Sequence, residues 1–476
     1  MIYFSSDLLP EVVQTQMPVQ QPRAPVWAAL ALALLLFCFY NLNFRFGDSP
    51  DTIPATVLPA SILAEGTFNL DISRSLLANN NNALDICLVF FKSIQERNGH
   101  LVSSYPPGAG IMAVPVYAIA KYSGHLKQWY QYRLTGKIAA SLMVALSALF
   151  IFLALSLSIE TKAAWIIALF YGLGTSAWSI SSQALWQHGP GALCLAIAAY
   201  ALYRMERQPS NLLAAVAGLF LGMAVFCRMP NFIPVGALTL FMLFHQRKYL
   251  LAYLLPLLCM AGIIAYYNLS TFGDLKGGVG VLLASQVHGW RHIPPVPSAF
   301  FSHPVGQGLA DVLLSPSRGL FIYSPYVLPA FVGAFHFALH PTSLLHRYLL
   351  LWVLAMSVFI ASTILWWGGA TFGPRYFSET CVALTLLTGA VWPTIKRHKT
   401  LLVAFILSGM VSMVIHGIGA FFAPCGWELT PVPSDFKPER FWDWHDTEIM
   451  RCASSGIING IKPPDILLLW THGNGK

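Results

Sequence analysis

The chain has 476 residues and a net charge of +8, with 56% hydrophobic and 10% charged residues, where soluble domains carry about 45–50% and about 25%. So little charge cannot coat a soluble globule of 52.3 kDa, and mean hydropathy is +0.60. Composition therefore excludes a soluble enzyme, a disordered chain and a disulfide-built secreted module, and points to a multi-pass membrane protein.

Residues 1–25 are polar, carry Pro10, Pro18 and Pro22, and lack the charged start and small-residue cleavage site of a removable signal. The first apolar run, 26–44, is therefore read as an anchor. Further runs at 108–122, 138–159, 163–180, 189–203, 211–227, 232–245, 249–267, 320–338, 348–366, 377–392 and 401–423 read as helices. The polar segments 45–107, 269–319 and 424–476 are far longer than ordinary connections, and such lengths usually signal function.

The short loops at 204–210, 246–249, 339–347 and 393–400 hold eight Lys and Arg against one acid, Glu206. That bias assigns them to the cytoplasm and the three long polar segments to the opposite face. The predicted fold is an all-α integral membrane bundle of about 11 crossings. It has a cytoplasmic segment 1–25, a transmembrane body 26–423 that includes the outer loops 45–107 and 269–319, interfacial helices in the first of those loops, and an extracytoplasmic tail 424–476. Three apolar runs lie between two outer points, so one of them does not cross: either 108–122, short and broken by Pro115, or 163–180. No internal repeat of the transporter kind is visible.

The basic charge sits in loops and forms no stripe interleaved with aromatics, so no nucleic-acid partner is expected. Cys38, Cys194, Cys227, Cys259 and Cys381 lie in apolar runs and read as small buried hydrophobes, whereas Cys87, Cys425 and Cys452 lie in polar segments where one disulfide could form in an oxidising compartment. Neither the cysteines nor the fourteen histidines show a metal-type spacing, and no essential metal or cofactor is expected. The glycine-rich stretch Gly273-Asp274-Leu275-Lys276-Gly277-Gly278 lacks the ending of a nucleotide loop. In the tail, Trp427, Phe441, Trp442 and Trp444 read as interface anchors.

The stretch with most chemistry follows the first helix: Arg45-Phe46-Gly47-Asp48-Ser49-Pro50-Asp51-Thr52, then an apolar run ending at Leu63-Ala64-Glu65-Gly66. Asp48 and Asp51 are either caps of an interfacial helix or reactive carboxylates. Further along stand Ser104-Tyr105-Pro106-Pro107-Gly108 and Gly373-Pro374-Arg375-Tyr376-Phe377. This order of motifs resembles the membrane-embedded C-type glycosyltransferase superfamily, in the branch of protein O-mannosyltransferases and lipid A aminoarabinose transferases. That branch has an acidic motif after the first helix, a Leu-x-x-Gly step about fifteen residues on, a Pro-Pro pair and a late Arg-Tyr pair. Thr52, Ala55 and Tyr105 depart from it, standing where the family usually has Glu, Tyr and a basic residue.

The resemblance implies transfer of a sugar from a polyprenyl-phosphate-linked donor to a lipid, protein or glycan acceptor, on the extracytoplasmic face of the cell inner (plasma) membrane. Such chemistry needs a base for the acceptor hydroxyl, cations for the leaving phosphate and an apolar groove for the lipid. Asp51 is the expected catalytic base, with Asp48 in a binding role. Arg228, Arg318 and Arg375 are expected on the phosphate, since guanidinium forks suit phosphate better than lysine does. Tyr105 and Tyr376 join the substrate-binding set with their motifs. Gln187 and His188, in Trp186-Gln187-His188-Gly189, would orient sugar hydroxyls. Competing readings are a transporter or flippase for a lipid-linked sugar and a non-catalytic scaffold of the same fold. Polar residues gathered at helix ends rather than mid-span favour the enzyme.

Overall fold

A computed structural model of the chain describes residues 26–77, 83–288, 297–333 and 343–459. The N-terminal segment 1–25, residues 460–476 of the tail and the end of the 320–338 run lie outside the described residues.

Helix α1, Val26–Asn41, ends in the turn that carries Asp48 and Asp51, and α2 follows over Ile53–Glu65. Gly66 terminates α2 in the left-handed conformation, φ 68°, and its amide returns to the Ile62 carbonyl, as glycine does at helix ends. The expected helix end is thus in place. The first long loop is not wholly helical, however. Strands β1, Ile94–Arg97, and β2, His100–Ser103, form an antiparallel hairpin in which Ile94 pairs with Ser103. Its turn is Asn98-Gly99, both at positive φ, the chemistry a two-residue hairpin loop demands. The fold is mostly helical rather than strictly all-α.

Next come α3, Gly108–Tyr122, α4, Trp129–Leu155, and α5, Thr161–Leu173. Helix α4 starts well ahead of its apolar run because its first turns are polar: Gln131 Oε1 accepts the Gln128 amide at 3.0 Å and Arg133 pairs with Asp48. The 163–180 run is not one helix. It breaks after Leu173 into a buried π turn, Ala177–Ser181. Helices α6, His188–Arg207, α7, Asn211–Cys227, α8, Phe232–His245, and α9, Leu250–Phe272, complete the first half. The segment predicted as a long outer loop is largely helical, with α10 over Gly277–His288 and α11 over Val305–Leu314. Then follow α12, Leu345–Ala361, α13, Thr380–Arg397, α14, Lys399–Phe422, and α15, Glu448–Asn459, in the tail.

Helix α6 packs between α4 and α7, and α7 against α9. The last contact uses Gly218 and Gly222, one turn apart. A Cβ at Gly218 would meet the Tyr253 carbonyl oxygen at 2.0 Å and one at Gly222 the Met260 Cβ at 2.6 Å, the small-xxx-small approach of membrane helices. Three described helical stretches are long and apolar enough to cross a membrane: Trp129–Leu155, Arg247–Phe272 and Lys399–Phe422. Cys38 and Cys259 are exposed on their helices rather than buried, while Cys194, Cys227 and Cys381 are buried as expected.

The tail folds on itself. Cys425 and Cys452 form a disulfide. Trp427 and Phe441 are fully buried, while Trp442 and Trp444 are exposed. The first two are core residues, which corrects their reading as interface anchors: they pack on one another at 5.5 Å and flank the buried Arg318 at 5.3 and 5.5 Å.

Candidate active site

The Asp51 turn, the end of β2, the start of α6, the turn between α7 and α8, α10, the end of α12 and the Arg375 turn enclose a cavity of about 370 Å³. One end is polar, with Asp51, Tyr105, Gln187, His188, Arg228, Arg375 and Tyr376. The remainder is apolar, including Phe232, Leu282, Leu283, Phe300, Phe301 and Phe359. Seven of the nine residues expected at the site therefore line one cavity; Asp48 and Arg318 do not.

The position of Asp51 argues against the capping reading. Thr52 is the N-cap of α2 and makes no side-chain cap bond. The Asp51 carboxylate turns to the cavity instead: Tyr105 donates its hydroxyl to Oδ1 at 2.7 Å and Arg375 donates from Nη1 to Oδ2 at 3.1 Å. Burial, reinforced by the Asp51 charge, pushes the Tyr105 hydroxyl well above its ordinary pKa, so Tyr105 stays a donor. Position 52, where the family's second carboxylate would stand, is buried, and the Thr52 hydroxyl bonds the Ser49 carbonyl. Asp48 lies apart. Its two oxygens take a fork from Arg133 Nε and Nη2 at 2.8 and 2.7 Å, and Arg133 stacks on Phe46 at 4.5 Å.

Arg375 and Arg228 share one aromatic shelf. The Tyr376 ring lies 5.5 Å from the Arg375 guanidinium and 5.4 Å from that of Arg228, and Trp186 flanks Arg375 at 4.8 Å. Ring faces hold guanidinium groups through the quadrupole without using their N–H donors. Arg375 Nε and Arg228 Nη1 accordingly have no hydrogen-bond partner although both are buried. Burial is the largest influence and opposes the Arg375 charge, but Asp51, Tyr376 and Tyr105 together outweigh it and hold the guanidinium above its ordinary pKa. Gly368 and Gly369, at φ 78° and 75°, wrap the loop around the Arg375 side chain, a backbone that only glycine adopts readily.

Glu379, which sequence reasoning missed, stands behind this row. It is fully buried at the start of α13, and its Oε2 pairs with His188 Nδ1 at 2.9 Å and with Arg228 Nη1 at 3.6 Å. His188 is thereby oriented by a carboxylate, with Gln187 beside it on the cavity wall. The available signal was an acid at the mouth of an apolar helix, four residues after Arg375.

Arg318 is placed elsewhere, which corrects its expected position on the phosphate. It is 1% exposed, donates through Nη1 to Glu448 and stands 3.9 Å from Glu428. Paired with Glu448 and set against Trp427 and Phe441, it lines neither this cavity nor the one beyond Trp186.

Beyond Trp186 lies a second cavity of about 310 Å³, lined by Arg45, Asp48, Ser49, Ser179, Gln183, Thr371 and Glu428 among others. Trp186 lines both cavities and donates its indole N–H to the Gly47 carbonyl at 3.1 Å. The polar ends of α6, α7, α12 and α13 meet at the first cavity, while the Arg204, Arg207 and Arg397 loops lie at the opposite ends of α6 and α13.

No protein-family model matches the chain, and no curated protein matches it. In fold the chain is similar to solved structures of ArnT. The crystal structure of ArnT from Cupriavidus metallidurans in the apo state aligns at a TM-score of 0.50 and 16% identity, over 87% of this chain and 68% of that one. The structure of the same protein bound to undecaprenyl phosphate aligns at 0.50 and 15%, with coverage of 87% and 68%. At these identities the likeness is one of fold.

Proposed function

We propose that this protein is a glycosyltransferase that moves a sugar from a polyprenyl-phosphate-linked donor to a lipid, protein or glycan acceptor. The observation that carries the reading is the single cavity in which Asp51, Arg228 and Arg375 meet a long apolar wall. A lipid phosphate has that same division, an anionic head on a hydrocarbon chain. The neighbour bound to undecaprenyl phosphate supports a donor of this class.

In the proposed reaction the donor phosphate is held by Arg375, whose Nε has no hydrogen-bond partner, and by Arg228, whose Nη1 stands at 3.6 Å from Glu379, too far for a full hydrogen bond. Arg375 then shares its charge between phosphate and Asp51, which loosens its hold on Oδ2 and frees that oxygen to accept a proton. The acceptor hydroxyl gives its proton to Asp51, its oxygen bonds to the sugar anomeric carbon, and the carbon–oxygen bond to phosphate breaks with the electron pair leaving on the phosphate. The second cavity offers hydroxyl-binding side chains on the far side of Trp186, a route for a polar acceptor. Glu379 keeps Arg228 and His188 in register.

The proposal includes about 11 crossings, with 1–25 cytoplasmic, 26–423 the membrane body and the tail 424–476 on the extracytoplasmic face, as eight basic residues in four loops against one acid support. The Cys425–Cys452 disulfide fits an oxidising compartment on the tail's side. The deciding experiment is transfer by the purified protein in liposomes, with polyprenyl-phosphate sugars and membrane acceptors followed by mass spectrometry. Release of free polyprenyl phosphate coupled to a glycosylated acceptor, lost in Asp51→Asn, is the expected result. Movement of intact lipid-linked sugar across the bilayer with no such release would replace the enzyme by a flippase.

A further inference from the structure

One carboxylate of the tail reaches the turn that presents Arg375. Glu448 opens α15, is 1% exposed, and gathers three donors on Oε2: the Arg318 guanidinium, the Tyr323 hydroxyl at 3.0 Å and the Gly373 amide at 3.0 Å. The Gly373 amide belongs to the turn that presents Arg375. The Arg375 amide closes onto the Gly373 carbonyl at 2.9 Å around Pro374, so between the two residues there is one tight turn with a fixed proline φ. A Cβ at Gly373 would lie 2.6 Å from the Tyr323 ring, so the same tyrosine that bonds Glu448 also seats the turn. Displacement of Glu448 therefore reaches Arg375 with little slack to absorb it.

Glu448 is itself fixed from three sides. Its Oε2 is met by Arg318, which lies against Trp427 and Phe441. Cys452, one turn along α15, is tied to Cys425 just past the end of α14. Arg440 collects the carbonyls of Trp427 and Thr430 at 2.8 and 2.7 Å and closes the loop between the two cysteines. The described part of the tail is thus cross-tied, with Glu448 Oε2 accepting from the Arg375 turn.

We propose that Glu448 is a positioning residue for Arg375, and that the C-terminal tail acts as a latch setting how tightly the lipid phosphate is held. The inference rests on the assignment of Arg375 to the donor phosphate. It separates the tail from a merely protective cap, because a cap would alter stability without altering Arg375.

The test is a double-mutant cycle on the full chain in nanodiscs, with binding of undecaprenyl phosphate as the readout. Arg375→Ala is expected to weaken binding about tenfold, the order of one charge-assisted hydrogen bond. Glu448→Gln, which keeps the shape and removes the charge, is expected to weaken it about fivefold in the parent and to add nothing in the Arg375→Ala background, since contacts acting through one another are non-additive. An equal loss in both backgrounds, or no loss in the parent, overturns the latch while leaving the donor assignment standing. Unchanged binding in Arg375→Ala overturns both. If Glu448→Gln does not assemble, Glu448→Asp, which withdraws the oxygen from the Gly373 amide but keeps the charge, carries the same cycle.

Discussion

Asp51 and Arg375, 324 residues apart in the chain, meet at 3.1 Å between Oδ2 and Nη1. A base candidate and a phosphate-binding candidate therefore occupy one another until a ligand arrives. If Arg375 holds the donor phosphate as proposed, anion binding and release of the carboxylate are coupled through this contact, and the coupling has a measurable sign.

Asp51→Asn is expected to lower transfer by about 10²–10⁴-fold, the usual contribution of a general base. Binding of undecaprenyl phosphate should not fall in the same variant, and is expected to tighten, because Arg375 no longer has a competing anion. Turnover and binding measured side by side check this. Weaker binding in Asp51→Asn would mean that the carboxylate organises the site rather than reacts in it.

The shared shelf under the two arginines predicts an order of effects. Tyr376→Leu removes both cation–π contacts, each worth about 0.5–2 kcal/mol, and should raise the donor KM with a smaller change in kcat. Arg228→Lys and Arg375→Lys should both be impaired at limiting donor, since an ammonium cannot make the planar fork. Steady-state kinetics against donor concentration distinguish these from a loss of folding.

Arg318→Ala should act on stability first. It strands the buried Glu448, and breaking a buried pair by removing one partner costs about 3–5 kcal/mol. A marked fall in the unfolding temperature in detergent is expected. A variant as stable as the parent would show that Arg318 and Glu448 are not the paired core of the tail.

The orientation is testable with single introduced cysteines. Ser302→Cys and Lys399→Cys lie at exposed positions on segments assigned to opposite faces. An impermeant maleimide applied to intact cells should label the first and not the second. The reverse pattern would put the cavity on the cytoplasmic side and remove the proposed donor geometry with it.

Much of the cavity was legible in the chain because its residues stand beside helix breakers. Asp51 follows Pro50, Arg228 precedes Met229-Pro230, and Arg375 follows Pro374, so each charge is forced to a helix end, where polar groups gather. Arg318 has the same local signature, Ser315-Pro316-Ser317-Arg318-Gly319, yet is sealed in by the tail, since local pattern carries no information about a partner 130 residues away. Asp48 was drawn to the site by its nearness to Asp51, but Arg133 claims it, and Arg133 lies in polar turns of α4 that a hydropathy reading leaves outside the helix. The hairpin was overlooked despite Asn98-Gly99 at its turn, because four-residue strands are too short to stand out beside long apolar runs.

The lengths of α7 and α8 carry a consequence for the membrane itself. They have 17 and 14 residues, and at about 1.5 Å per residue they rise about 25 and 21 Å, less than the ~30 Å of an ordinary hydrocarbon slab. Arg228 sits at the junction of the two. If both cross, as proposed, hydrophobic mismatch of this kind would thin the surrounding leaflets and bring headgroup level down to the mouth of the cavity. If Arg228 binds the donor phosphate as proposed, a lipid diffusing along that side would meet the guanidinium at its own depth, and the bilayer would deliver the anion laterally.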